Sequence, residues 1–251
     1  MEIGTAAGVK RIKVLDVPVD CVDPDVAVRV VESLLDNGLR NQIVFLSLRA
    51  LMRARHDPEL LRSLRDAALV LPVSLAVVRG ARFLKAGHPS LYNSFEYIIR
   101  VLSVVEKAKG SVYLLGSRKQ VLEVAEENLL GSFHGIRVVG RFYGYFPRTV
   151  EADIVTAIKK ASPSLVLVGT GVPGRDKWVL KHKRDLNPGI YLWAGYCFEI
   201  FAGKERQVSR KLHARGLSAL SGIRRRPWRV VGIFPYLYYQ ILLVGYRLFK
   251  L

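Results

Sequence analysis

The sequence predicts an α/β fold: a mostly parallel sheet sandwiched by helices in Rossmann-like layers, carrying a basic, amphipathic, helical C-terminal appendage. Three observations carry this. Short apolar runs alternate with stretches of helical period through most of the chain. The apolar runs are nearly continuous, as expected of strands buried on both faces, the condition of a parallel sheet between helix layers. The last fifth then changes character, with eleven Lys or Arg against the single acid Glu205 over residues 201–251. The expected division is a core over 1–203 and an appendage over 204–251.

The elements follow in order. "KRIKVLDVPVD" reads as a strand with a turn, and "DPDVAVRVVESLLDNGL" as a helix. Asp23 can cap that helix, Pro24 suits its first turn and Gly38 ends it. "NQIVFLSL" is a strand, "DPELLRSLRDAA" a helix opened by Asp57-Pro58, and "LVLPVSLAVV" another strand. "FEYIIRVLSVVEKAKG" has apolar residues at helical spacing and stops at Gly110. Three strand–helix alternations follow: "SVYLLGS", "RKQVLEVAEENLLGSF", "GIRVVGRFYGYF", "VEADIVTAIKKASP", "SLVLVGTG" and a basic helix in "KWVLKHKR". "GIYLWAGYCFEIFAG" supplies the last strand.

Half the residues are hydrophobic, which excludes disorder, and the formal charge of +18 over 251 residues predicts an anionic partner. Nucleic acid is disfavoured, because no nucleic-acid-binding motif occurs and the tail is too apolar for a basic arm. Cys21 and Cys197 have neither a CxxC partner nor a histidine at ligand spacing, so neither a disulfide nor a metal site is expected. The N-terminus lacks the apolar run of a secretory signal, and the expected location is cytoplasmic. In the tail, Arg224–Arg226 and Arg229 precede an uncharged stretch, Val230–Tyr246. Seventeen helical residues cover only about 25 Å, short of a ~30 Å hydrocarbon core. Pro235, Gln240 and four tyrosines suit the headgroup region. The stretch therefore reads as lying on a membrane behind a basic collar that meets anionic lipid; a helix pair packed on the core is the alternative.

Ligands of parallel sheets sit beyond the carboxyl ends of the strands, where Gly116, Gly140, Gly169 and Gly171 fall in this reading; tight turns alone would also explain them. Gly174 after Gly169-x-Gly171 reads as one position short of a dinucleotide signature, and no acid ends the strand that follows, so no dinucleotide cofactor is expected. Arg175, beside these glycines and before a helix, suits a diphosphate. Glu96 and Glu199 stand among aromatic and apolar residues, where a carboxylate binds something specific or serves as a helix-start acid or a capped strand end.

Taken together, "ARHDPELLRSLRDAALVLP" (54–72), "VYLLGS" (112–117), "IRVVGRFYGYF" (136–146), "PSLVLVGTGVPGRDKW" (163–178), "FEIFAGK" (198–204) and "PWR" (227–229) resemble the WecG/TagA/CpsF family of bacterial glycosyltransferases over nearly the whole chain. The resemblance implies an inverting, metal-independent transfer of an N-acetylated amino sugar from a UDP-sugar to a polyprenyl-diphosphate-linked acceptor. It would run at the inner face of the cell membrane, on a peripheral protein of surface-polysaccharide biosynthesis. It implies nucleotide-sugar contacts at Gly116, Gly140, Tyr145, Gly169, Gly171, Arg175 and Glu199. It also brings tail arginines, Arg224 and Arg229, to the diphosphate, and it implies homo-oligomers or complexes with pathway enzymes.

This chain departs from the family at polar positions. Pro72-Val73-Ser74 stands where the family has Pro-Asp-Gly, and valine cannot serve as its general base. Phe45 and Ser47 replace Thr-x-Asn, Ser94-Phe95-Glu96 replaces Gly-x-Asp, and Arg175-Asp176 replaces Gln-Glu. Glu199 replaces an Asp, and Gln207-Val208-Ser209 replaces Arg-Ala-Pro. Two readings follow: a transferase whose base has moved to Glu96 or Asp176, or an inactive relative acting as a membrane-associated binding or scaffolding subunit.

Overall fold

The computed structural model describes residues 9–174, 177–207 and 233–249, with side chains of the last segment from 236 onward. Its centre is a six-stranded parallel sheet in the order β4-β3-β8-β7-β5-β6. The strands are β3 (Arg40–Leu46), β4 (Leu69–Pro72), β5 (Ser111–Leu115), β6 (Arg137–Phe142), β7 (Leu165–Gly169) and β8 (Gly189–Gly195). Residues of β4, β5 and β7 are buried throughout, whereas β6, at the edge, alternates between exposed and half-buried. The predicted fold class is therefore the observed one.

The chain divides into two compact units. One comprises the described residues of 1–24, 45–93 and 208–251, the other 25–44 and 94–207. The first opens on an antiparallel hairpin, β1 (Lys10–Val14) and β2 (Val17–Cys21), with Val14 opposite Val17. Leu15 and Asp16 between them have φ of 51° and 68°, the left-handed pair a two-residue turn needs to match strand twist. Fully buried Asp20 accepts Arg11 Nε at 2.7 Å, Arg11 Nη2 at 2.8 Å and the Val70 amide at 2.7 Å, which ties the hairpin to β4. Helices α2 (Leu48–Ala54) and α3 (Pro58–Arg65) are each started by a capping side chain. Ser47 accepts from Ala50 N at 3.1 Å and Asp57 from Leu60 N at 3.0 Å.

Helix α4 (Leu75–Phe83) corrects one expectation, since "LAVV" is helix and not strand. Strand β4 ends at Pro72, and Ser74 is extended at the helix start (φ −122°, ψ 126°), so the chain turns there despite the valines. Tertiary packing outweighs β-propensity here. A Cβ at Gly80 would lie 1.9 Å from the Tyr239 hydroxyl, so the glycine makes the notch that seats the last described helix, α10 (Ile233–Phe249). Tyr239 is fully buried and donates to the Ala76 carbonyl at 3.1 Å.

The second unit supplies helices α1 (Pro24–Asp36, starting at the unit boundary), α5 (Ser94–Lys107), α6 (Lys119–Ser132), α7 (Glu151–Ala161), α8 (Trp178–His182) and α9 (Cys197–Phe201). Strand β8 stops at Gly195, so "CFEIF" is a short helix and not the tail of a strand. Glu199 accordingly stands on a helix. Among the described residues, no helix is long and apolar enough to cross a membrane.

Candidate functional site

The carboxyl ends of β5, β6 and β7 are laced together by backbone hydrogen bonds. Gly116 N donates to Phe142 O at 2.9 Å, Ser117 N to Thr170 O at 2.6 Å, Gly144 N to Ser117 O at 2.7 Å and Tyr145 N to Gly171 O at 2.7 Å. The approach is so close that a Cβ on Gly116, whose φ is +129°, would lie 2.8 Å from the Gly169 backbone. Glycine is required there by protein packing itself. Gly169 likewise lies under the Phe198 ring and Gly171 under that of Tyr145.

Into this junction α9 aims Glu199. Its Oε1 accepts from Ser117 Oγ at 2.8 Å and from Thr170 Oγ1 at 2.6 Å. Its Oε2 is buried and has no hydrogen-bond partner among the described residues. An under-satisfied carboxylate oxygen carries a desolvation cost until a donor reaches it, and the last torsion of a glutamate is soft enough to turn that oxygen toward a ligand. Ser117 is itself completely buried, with φ +60°. Beside it, Tyr145 holds φ +59° and leaves its side chain 66% exposed, an unusual conformation for an aromatic residue and a common one at binding sites.

The structure thus brings Gly116, Gly169, Gly171, Tyr145 and Glu199 to one rim. Gly140 is not at that rim. It lies within β6, where a Cβ would meet the Tyr113 ring at 2.4 Å, so its role is packing on the edge strand. Glu96 sits in the first turn of α5, next to Phe95, whose ring meets Phe201 of α9 edge-on at 5.2 Å. Arg175, Asp176, Arg224 and Arg229 lie outside the described residues. Val73 follows β4, its amide donating to Leu46 O at 3.0 Å, and no proton acceptor occupies its position. Ser117 and Thr170 escaped the sequence reading. Their signal was a hydroxyl beside a glycine at two strand ends, "GS" and "GTG", which gains meaning only once a carboxylate is known to face both. Gly169, Gly171 and Gly174 do stand at G-x-G-x-x-G spacing, but the turn opens into the short helix α8.

Helix α8, following the β7 loop, is held from α7. Glu151, 7% exposed, accepts Lys181 Nζ at 2.7 Å and sits 3.0 Å from His182 Nε2. Burial pushes the Glu151 carboxyl up, but the hydrogen bonds from Lys181 and His182 outweigh it and leave it below the usual range. Cys197 is pushed far up by burial, with Glu199 adding to it, so it carries no thiolate. Among the described residues no three His, Cys, Asp or Glu side chains gather as a metal site.

A parallel sheet between helices with a polar cluster at its carboxyl rim is an α/β architecture, and sheets of that kind take their ligands at that rim. The particular family is given by comparison. The model of the glycosyl transferase WecG/TagA/CpsF family matches residues 12–250, and the chain belongs to that family. It is also similar to the N-acetylglucosaminyldiphosphoundecaprenol N-acetyl-beta-D-mannosaminyltransferase of Bacillus subtilis (strain 168), with 23% identity over 167 residues. That match takes in 66% of this chain and 64% of the length of the Bacillus protein, a little under two thirds of it.

Proposed function

We propose that the chain binds a UDP-sugar at the rim of β5 and β7 and transfers the sugar to a polyprenyl-diphosphate-linked glycolipid in surface-polysaccharide biosynthesis. The observation that carries this is Glu199, with two hydroxyls on one oxygen and none on the other. A carboxylate only accepts, so it favours a ligand with an N–H to give, as the imide of uracil has. The exposed Tyr145 ring offers that base a flat apolar face. Gly116, Gly169 and Gly171 let the strand ends and the Phe198 and Tyr145 rings close on one another to form the floor under the nucleoside, and Gly140 supports the neighbouring edge strand. Arg175, with Arg224 and Arg229 of the appendage 204–251, would meet the diphosphate charge. The appendage would hold the protein on anionic lipid at the inner face of the membrane, where such an acceptor resides. The base would be Glu96 or Asp176.

One observation favours a second reading. Pro72-Val73-Ser74 stands where the family resemblance implies Pro-Asp-Gly with the general base, and valine cannot take a proton. An inactive relative would keep the nucleotide and lipid contacts and serve as a binding or scaffolding subunit. Release of UDP from a panel of UDP-sugars in the presence of lipid-linked acceptor separates the two. The transferase reading expects release, reduced about 10²-fold or more by Glu96→Gln or Asp176→Asn, whichever is the base. Nucleotide binding without release from any donor makes the scaffold reading the correct one.

A further inference from the structure

Helix α10 is apolar on two opposite sides. Tyr239 and Leu243 are buried in the notch over Gly80 of α4. Leu237, Ile241, Val244 and Leu248 recur at i, i+4, i+7 and i+11, which places them within about 60° of one another and roughly half a turn from Tyr239. They are 53%, 69%, 48% and 71% exposed. A helix already packed on one side has no use for such a stripe in water, so a further surface covers it.

Charge decides which surface. Helices α2, α4 and α10, which pack on one another, carry Arg49, Arg53, Arg79, Arg82 and Arg247 and not one Asp or Glu. The segment 67–93 also contains no acid. At the end of α4 the half-exposed Phe83 lies under the Arg247 guanidinium, 5.1 Å from ring centre, and Arg247 also donates to the Phe83 carbonyl. A second copy docked symmetrically on this face would set arginines against arginines, with no acid on these helices to neutralise them; Asp16, beside α10, already accepts from the Tyr246 hydroxyl. An anionic bilayer supplies both things the face lacks, phosphate charge at its surface and apolar depth beneath. Exposed Tyr236 and Tyr238 suit the level between the two.

We infer that the outer stripe of α10 and the Arg79, Arg82 and Phe83 side chains of α4 form one docking face for an anionic lipid surface. The first unit itself, and not the tail alone, then makes the membrane contact. This rests on the membrane-side reading proposed above and extends it to α4.

Flotation of the full chain with vesicles tests it, using phosphatidylcholine alone and phosphatidylcholine mixed with phosphatidylglycerol. Wild type is expected to float with the anionic vesicles. Arg79→Gln/Arg82→Gln should partition about 25-fold more weakly, since each basic residue near such a surface contributes about fivefold. Ile241→Glu/Leu248→Glu should abolish flotation. Both pairs are exposed, and circular dichroism with thermal melting verifies that the variants fold. Wild-type flotation that Arg79→Gln/Arg82→Gln leaves unchanged overturns the role of α4 and leaves the membrane-side reading standing. A wild type that ignores every vesicle overturns both. If Ile241→Glu/Leu248→Glu then also dissociates an oligomer in light scattering, a second copy covers the stripe.

Discussion

Gly116 shows how a residue is fixed by what stands beside it. Its φ of +129° and the Gly169 backbone, 2.8 Å from where a Cβ would sit, leave room for a hydrogen only. Moving either backbone aside would strain the hydrogen bond from the Ser117 amide to the Thr170 carbonyl that closes the rim. Gly116→Ala is expected to cost about 3 kcal/mol and to lower Tm by roughly 6–12 °C, read by thermal unfolding. A melting curve unchanged from wild type would mean that the rim is not held as described. The same closeness explains why the glycines were legible in the sequence and the hydroxyls were not. A strand ending in glycine announces a tight approach, whereas the Ser117 and Thr170 hydroxyls act through Glu199, which is 82 and 29 residues away from them along the chain. Spacing in the sequence carries no trace of that encounter.

At the scale of elements, the long periodic segments are legible in the sequence, as are α3 and α8 among the short ones, whereas α4 and α9 are not. Helices α1, α5 and α6 repeat their apolar positions over three turns or more, and β5 and β7 are unbroken apolar runs, so pattern alone identifies them. Helix α4 starts in a valine-rich run and α9 is five residues long, and both are held by packing that no window of sequence contains. Gly80 is a helix-weakening residue kept for Tyr239, and Phe198 of α9 is fully buried over Gly169. Helix α8 owes its position to Glu151. With its carboxyl held below the usual range, Glu151 contributes stability above its unfolded value, near pH 4.5, and loses it as pH falls through the lower folded value. Lys181 is more than half exposed, which discounts the pair to about 1–2 kcal/mol. Glu151→Gln should be less stable than wild type by about that amount at neutral pH in denaturant unfolding, and the two curves should converge in acid. A gap that widens toward acid contradicts the assignment.

For the whole molecule, the surplus of +18 is the strongest statement the composition makes, and ten of those charges come from the last fifth of the chain. Charge of one sign implies a partner of the other, but it does not choose among lipid, diphosphate and nucleic acid. The fold narrows that choice. A parallel sheet directs ligands to its carboxyl rim, and there the chain gathers an exposed tyrosine, close-packed glycines and a carboxylate with one unserved oxygen. Family membership fits that arrangement, and a shared fold does not by itself fix activity. The account therefore stands or falls on whether a uridine nucleotide enters at Glu199. Isothermal calorimetry of wild type and Glu199→Gln with UDP and CDP asks this directly. The account predicts that UDP binds at least about tenfold more tightly than CDP, whose ring nitrogen has no hydrogen and whose base N–H donors sit instead on the exocyclic amine, out of line with Glu199, and that Glu199→Gln loses most of this preference. Equal affinity for the two nucleotides in both proteins, or no binding at all, would contradict it.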